Sequence, residues 1–360
     1  MAEIVLGIGT SHTPLLALPG SLWEEYATVD RRNPELVFPP DGWSMSFDEA
    51  VANYVPKEIQ DKPRSVDVFN EQADRCQRAI AVLAKTVEEV NPDITIIVSD
   101  DQDEWFYESN MPMFSIFWGD SVPIRPRKGG GPWPNAEISR RIAEGYGDVA
   151  MDVPVASDLG RYLIEYLRDH DFDISHFNYV EDTYKGRVAR RYPTKDGEID
   201  SVRETAEKDQ GLPHGYSYVV KRVFNNQPRT ILPVVQNTCY PPNQVTPRRC
   251  YQIGKAIGAA VAAWPSDLRV AVVASGGLSH FVTDEELDRS LIAALEQKDG
   301  SALQGLPRHR LYSATSESMN WVTAGGALEA TSLNFELVDY VPVYRTEAGT
   351  GGGWCFGRWL

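Results

Sequence analysis

Strand-like and helix-like stretches alternate along the 360-residue sequence, which predicts an α/β fold: a mostly parallel central sheet with helices on both faces. Two further features point the same way. The apolar runs at 4–8, 94–98, 231–235 and 269–274 are continuous rather than alternating, as expected of strands covered on both sides. Each ends in a short turn or polar loop, and in this architecture functional groups gather just beyond the carboxyl ends of strands.

The elements follow in order. Residues 4–8 form a first strand that ends in Gly9-Thr10-Ser11-His12-Thr13-Pro14. Residues 18–66 are rich in Pro and Trp with weak periodicity, and are expected to be an irregular insertion. Ala73, Cys76, Ile80, Leu83, Ala84, Val87 and Val90 recur at helical spacing. Asn91-Pro92 closes that helix before the strand at 94–98. A helix at 157–168 leads to a strand opening at 172–174. Residues 184–211 are polar and read as a surface excursion. A helix at 216–224 precedes the strand at 231–235. Thr246-Pro247 supplies an N-cap and a first-turn proline for a helix running to Trp264. The strand at 269–274 runs into Gly276-Gly277-Leu278-Ser279-His280, and a helix starts from Asp284. Gly129-Gly130-Gly131 and Gly351-Gly352-Gly353 read as loops, because no Gly-Lys-Ser/Thr follows either. Gly7-Ile8-Gly9 lacks the third glycine of a dinucleotide fingerprint. The whole chain, 1–360, is expected to be one catalytic domain carrying the insertion and the excursion.

Composition narrows the function. With 35 basic and 51 acidic side chains the formal charge is −16, which disfavours nucleic-acid binding. The 42% apolar content argues against global disorder. No apolar run reaches the roughly 20 residues that span a bilayer, and no basic, cleavable leader is visible at Met1. The four scattered cysteines form no CxxC pair. These features describe an acidic cytoplasmic protein with neither nucleic-acid nor membrane partners.

Only six histidines are present, so each is weighed singly. His12 follows the first strand and suits either a turn cap or a metal ligand or base. His214, in Pro213-His214-Gly215, is held by rigid neighbours and could act as a general acid/base near neutral pH, or could simply face solvent. Glu286 reads most simply as the third helical residue of a capping box with Thr283. Ser11-His12, Ser175-His176 and Ser279-His280 do not make a serine-hydrolase dyad, because adjacent residues of an extended chain point apart, and no Gly-x-Ser-x-Gly elbow occurs.

Several motifs taken together resemble the class III extradiol ring-cleavage dioxygenases, the superfamily of the protocatechuate 4,5-dioxygenase catalytic subunit and the gallate dioxygenases. They are Gly9-Thr10-Ser11-His12-Thr13-Pro14, Asp100-Asp101-Gln102, Pro213-His214-Gly215 and Asn237-Thr238-Cys239-Tyr240-Pro241-Pro242. Gly276-Gly277-Leu278-Ser279-His280 with Asp284-Glu285-Glu286-Leu287-Asp288, and the stretch from Ser313 to Trp321, complete the set. The motifs lie in family order over about residues 4 to 350; singly they are weak, jointly they are specific. The resemblance implies a non-haem Fe(II) held by two histidines and a glutamate, with an open face for a catecholic or gallate-like phenol and O2. It implies His12 and Glu286 as ligands and His214 as the acid/base. His280 would give structural support or contact substrate, and Thr315 and Ser316 would bind substrate polar groups.

One position departs from the pattern. The second family histidine would end the second strand, where this chain has Gln102. An oxygen from Gln102, Asp101 or Asp100 would then complete the iron site, or no iron is bound. His176 is a further substitute, though packing in the sheet is its simpler reading. The leading expectation is an Fe(II)-dependent extradiol dioxygenase. The alternative is a hydrolase or C–C lyase on an aromatic substrate, with another metal or none. Arg248 and Arg249 could attract a substrate carboxylate or simply be solvated. The extra segments could close the active site within one chain where some relatives use a small second subunit, and a homodimer is the default oligomer.

Overall fold

The computed structural model describes residues 1–360 apart from Lys128, Gly130, Gly131 and Pro132. Its principal elements are β1 (Glu3–Thr10), α1 (Val66–Val90), β2 (Ile94–Asp100), β3 (Phe114–Phe117), α2 (Ser157–Asp169), β4 (Ser175–Phe177) and β5 (Ile231–Gln236). They continue with α3 (Pro247–Ala263), β6 (Arg269–Ser275), α4 (Glu285–Glu296), α5 (Ser318–Leu328), β7 (Phe335–Tyr344) and β8 (Gly351–Trp359). The eight strands form one sheet in the order β7-β8-β1-β6-β2-β5-β3-β4. The central four, β1, β6, β2 and β5, are mutually parallel. Antiparallel partners flank them: β8 on β1, β7 on β8, and β3 on β5. The α/β expectation with a mostly parallel centre is met.

The parallel strands are buried almost end to end, as their continuous apolar runs require. Helix α1 covers the sheet with the predicted stripe: Ala73, Cys76, Ile80, Leu83, Ala84 and Val87 are all buried. The Ser65 hydroxyl caps it by accepting from the Val68 N–H at 3.3 Å, and Asn91, at φ +48°, ends it. Thr246 and Pro247 start α3 as expected, the Thr246 hydroxyl accepting from the Arg249 N–H at 3.2 Å. Among the described residues no helix is long and apolar enough to cross a membrane.

Three expectations need correction. Residues 172–174 are not a strand: Asp171, at φ +64°, reverses the chain after α2, and β4 begins at Ser175. Gly351-Gly352-Gly353 is not a loop but the start of β8, paired with Tyr344, Val343 and Pro342. A Cβ on Gly353 would fall 1.7 Å from Asp288 Oδ2, so glycine lets the strand pass against that carboxylate. The helix expected at 216–224 is an α-helical turn, His214–Tyr218, followed by a wider π-type turn, Val219–Val223. Of the other glycine cluster, Gly130 and Gly131 lie outside the described residues.

The Pro- and Trp-rich stretch is a chain of short turns and helices with a small core of its own. Leu36, Phe38, Phe47, Ala50 and Val55 pack there with Val282 and Ala348. Asp30 latches it to the C-terminal strands, accepting from Arg345 Nε at 2.9 Å and Nη2 at 3.0 Å. The polar excursion is a hairpin, Arg187–Thr194 with Gly197–Glu204, beside a short pair, Thr183–Tyr184 with Lys208–Asp209. The loops after β1, β2, β5 and β6 converge at the carboxyl edge of the four parallel strands, where the site lies.

Candidate functional site

His12 follows β1 and is almost wholly buried. Its Nδ1 lies 3.0 Å from the Ser275 hydroxyl at the end of β6. That hydroxyl spends its one proton on the Gly215 carbonyl at 2.6 Å, so it must accept from His12 Nδ1–H. The network therefore assigns His12 the tautomer with a bare Nε2. This nitrogen is buried, has no hydrogen-bond partner among the described residues, and lies 3.3 Å from Glu317 Oε2. A lone pair facing a carboxylate is repulsive unless a cation or a proton stands between them.

Glu317 comes from the turn Ser313–Glu317 that precedes α5. Its Oε2 also accepts from the Gly277 N–H at 2.8 Å. Its Oε1 accepts from Gln102 Nε2 at 2.8 Å and lies 3.3 Å from His280 Nε2. Burial alone would favour the neutral acid, but the charge of His280 opposes it, and the carboxyl is held well below the usual range. His280 donates Nδ1–H to the Leu278 carbonyl at 2.8 Å, which turns Nε2 to the same carboxylate.

His214 opens its helical turn directly after Pro213. Its Nδ1 lies 2.6 Å from Glu104 Oε2, and its backbone N–H reaches both Glu104 oxygens at 3.1 Å. Arg127 pairs with the same carboxylate. Burial works to lower the His214 pKa, and the charge of Glu104 more than reverses this, so the net shift is upward. Gly215 is what lets the turn come this close: a Cβ there would meet Ser99 Oγ at 2.2 Å and the His12 ring at 2.9 Å. The His12 and His214 rings lie edge-on at 4.7 Å. Tyr146 packs its edge on His214 at 5.4 Å and donates its hydroxyl to the His12 carbonyl at 2.7 Å. One ring nitrogen each from His12 and His214 and one oxygen of Glu317 lie within 4.8 Å of one another.

The structure brings His12, His214, His280 and Gln102 together, and it does not bring Glu286. That residue sits on α4 with its side chain 82% exposed, 3.6 Å from Arg310. The physical reason is the cap. Asp284, not Thr283, caps α4 by accepting from the Leu287 N–H at 3.1 Å, which turns Leu287, Asp288 and Leu291 inward and Glu286 to solvent. The carboxylate beside His12 is Glu317. Asp101 faces away as well: its oxygens accept the N–H groups of Trp105 at 2.8 Å and Phe106 at 3.0 Å. Asp100 is wholly buried and accepts from Asn320 and from Gln102. Thr315 braces the His280 backbone, donating to its carbonyl at 2.8 Å and accepting its N–H at 3.1 Å. Ser316 donates to the Ser313 carbonyl. His176 is exposed on β4 and accepts from the Trp118 indole at 3.0 Å. Arg248 is exposed, and Arg249 lies over the Phe172 ring at 4.2 Å.

Glu317 and Glu104 were missed in the sequence. A signal for Glu317 was present: it is the one charged residue between Leu311 and Leu328, and a lone charge in a buried run needs partners. Glu104 carried no such mark among the acidic residues after β2.

The residues fit a divalent metal. An imidazole and a carboxylate facing each other, with the His214 ring and the Gln102 amide beside them, suit a non-haem Fe(II) site, and the bare, buried Nε2 of His12 is the atom such an ion would satisfy. A cavity of about 860 Å³ adjoins Gln102. Aromatic Tyr26, Trp133 and Phe281 and cationic Arg32 and Arg190 line it, and Tyr26 and Trp133 stack at 5.4 Å.

The chain is 36% identical over 81 residues to the gallate dioxygenase of Pseudomonas putida, a match covering 22% of this chain and 24% of that protein. The matched part is thus about a quarter of that relative's length. Residues 67–348 match the model of the catalytic LigB subunit of aromatic ring-opening dioxygenase. The chain belongs to the family of LigB catalytic subunits of aromatic ring-opening dioxygenases.

Proposed function

We propose that the chain is an Fe(II)-dependent extradiol dioxygenase that opens a catecholic or gallate-like aromatic ring with O2. The observation that carries this reading is the bare His12 Nε2 set 3.3 Å from the Glu317 carboxylate, in a member of a ring-opening dioxygenase family. His12 and Glu317 would hold the metal, with an oxygen from Gln102 near a remaining position. When bound, Fe(II) supplies a Lewis acid that anchors vicinal hydroxyls beside O2.

The chain's own residues do the rest. His214, its Nδ1–H directed to Glu104, keeps Nε2 free to take a phenolic proton and later return one to the opening ring. His280 and the Gly277 N–H keep Glu317 ionised and oriented. The stacked Tyr26–Trp133 pair offers a wall for an aromatic ring. Of the cations lining the same cavity, Arg190 pairs with Glu35 and Arg203 and Lys208 face Asp103, which leaves Arg32 to meet a phenol bearing a carboxylate. Tyr26 to Glu35 come from the insertion and Arg190 to Lys208 from the excursion. In this reading the two segments close the cavity within a single cytoplasmic chain.

Gln102 favours a second reading, a hydrolase or C–C lyase with another metal or none, because its amide stands where the family pattern has an imidazole. The two readings separate by iron analysis of oxygen-free protein with O2 uptake on gallate, protocatechuate and a methylated gallate. Bound iron and substrate-dependent uptake support the dioxygenase. Product formed without O2 supports the alternative.

A further inference from the structure

We propose that Glu104, backed by Arg127, is a positioning residue that fixes the tautomer and ring orientation of His214, so that its Nε2 faces the reacting substrate as a bare base. This rests on the dioxygenase reading for its chemical consequence but not for its geometry.

The loop after β2 is where a metal ligand was expected, yet Glu104 in that loop serves a different partner. Glu104 is buried, and each of its oxygens is used: both accept the His214 backbone N–H at 3.1 Å, and Oε2 accepts Nδ1–H at 2.6 Å. Gripping one residue by backbone and side chain at once fixes the ring in place as well as in tautomer. Arg127 pairs with the same carboxylate and lies 5.6 Å from the centre of the Tyr146 ring, which in turn packs on His214. The guanidinium thereby keeps Glu104 ionised in a buried setting, where a lone carboxylate would tend to take up a proton. A protonated Glu104 could donate to Nδ1 and put the imidazole proton on Nε2, the wrong nitrogen for a base. An imidazole without such a partner prefers the Nε2–H form in water, so the active tautomer needs an acceptor at Nδ1. The carboxylate–imidazole pair of hydrolytic triads uses the same physics.

The test is ¹⁵N NMR of histidine-labelled, metal-free chain at a pH where His214 is neutral, with His214→Gln used to assign its signals. The wild type should show a protonated Nδ1 and a bare Nε2. Glu104→Ala should move His214 toward the Nε2–H form, while Arg127→Met, which keeps the acceptor, should retain more of the wild-type tautomer. If Glu104→Ala fails to fold, Glu104→Gln serves, because an amide can donate to Nδ1 and should lower its protonated fraction. With iron and substrate supplied, kcat should fall roughly 10–100-fold with little change in KM. An unchanged tautomer in the Glu104 variant overturns the inference whatever the activity. A shifted tautomer in a chain that never consumes O2 leaves Glu104 as the positioning residue and overturns the dioxygenase reading instead.

Discussion

His12 and Glu317 stand 3.3 Å apart at the carboxyl edge of the sheet, and the hydrogen bonds behind His12 leave its facing nitrogen bare. Buried groups without partners are uncommon in folded proteins and call for a physical account. A cation between these two residues satisfies both.

Replacing Glu317 should therefore remove the metal. Glu317→Gln is expected to weaken Fe(II) binding by more than the roughly 10–100-fold that loss of an outer partner costs. Glu286→Gln, at an exposed carboxylate, should leave affinity unchanged and stability within about 0.5 kcal/mol. Anaerobic Fe(II) titration of the two variants compares them directly.

Gln102 donates to Glu317 Oε1 at 2.8 Å. Gln102→His would put an imidazole in that place, and tighter Fe(II) binding is expected in the same titration. Unchanged affinity would mean that position 102 does not face the ion.

The latch on the insertion is a second measurable element. Asp30 and Arg345 are each 3% exposed. Asp30→Ala strands a buried guanidinium and should cost about 3–5 kcal/mol in denaturant unfolding. Removing both charges together, as Asp30→Ala with Arg345→Met, should recover part of that loss, because no charge is left uncompensated.

Asp288 gives a pH signature. Burial raises its pKa to about 7, against the opposing donors Ser279 and Tyr340. Between the ordinary aspartate value of 3.8 and about 7 the folded chain keeps a proton that the unfolded chain releases. Its contribution to stability is thus complete at low pH and is lost as pH rises through about 7. Asp288→Asn lacks this dependence. Relative to wild type, the variant should gain roughly 1–4 kcal/mol between pH 4 and pH 8, read from unfolding curves at both values.

Much of the fold was legible because burial on both faces of the parallel strands writes continuous apolar runs, and because Asn91 and Thr246 mark helix ends by side-chain chemistry. The antiparallel edge was harder. Strand β8 starts with three glycines that read as a loop, since sequence does not reveal the Asp288 carboxylate that excludes a Cβ. At the site, His12 and His214 stood out as lone imidazoles beside turns. The carboxylate was assigned to Glu286 on the resemblance of the motif at 284–288, and the cap at Asp284 turns that side chain outward. Glu104 was hidden because its partners, His214 and Arg127, are distant in sequence.

The most direct test of the whole account is O2 uptake by oxygen-free, Fe(II)-loaded protein on a catecholic acid, using ¹⁸O2 and mass analysis of the product. A ring-opening dioxygenase consumes one O2 per ring opened and carries both labelled atoms into the product, with uptake lost in Glu317→Gln and kept in Glu286→Gln. Product formed without O2, or full uptake by Glu317→Gln, would contradict it.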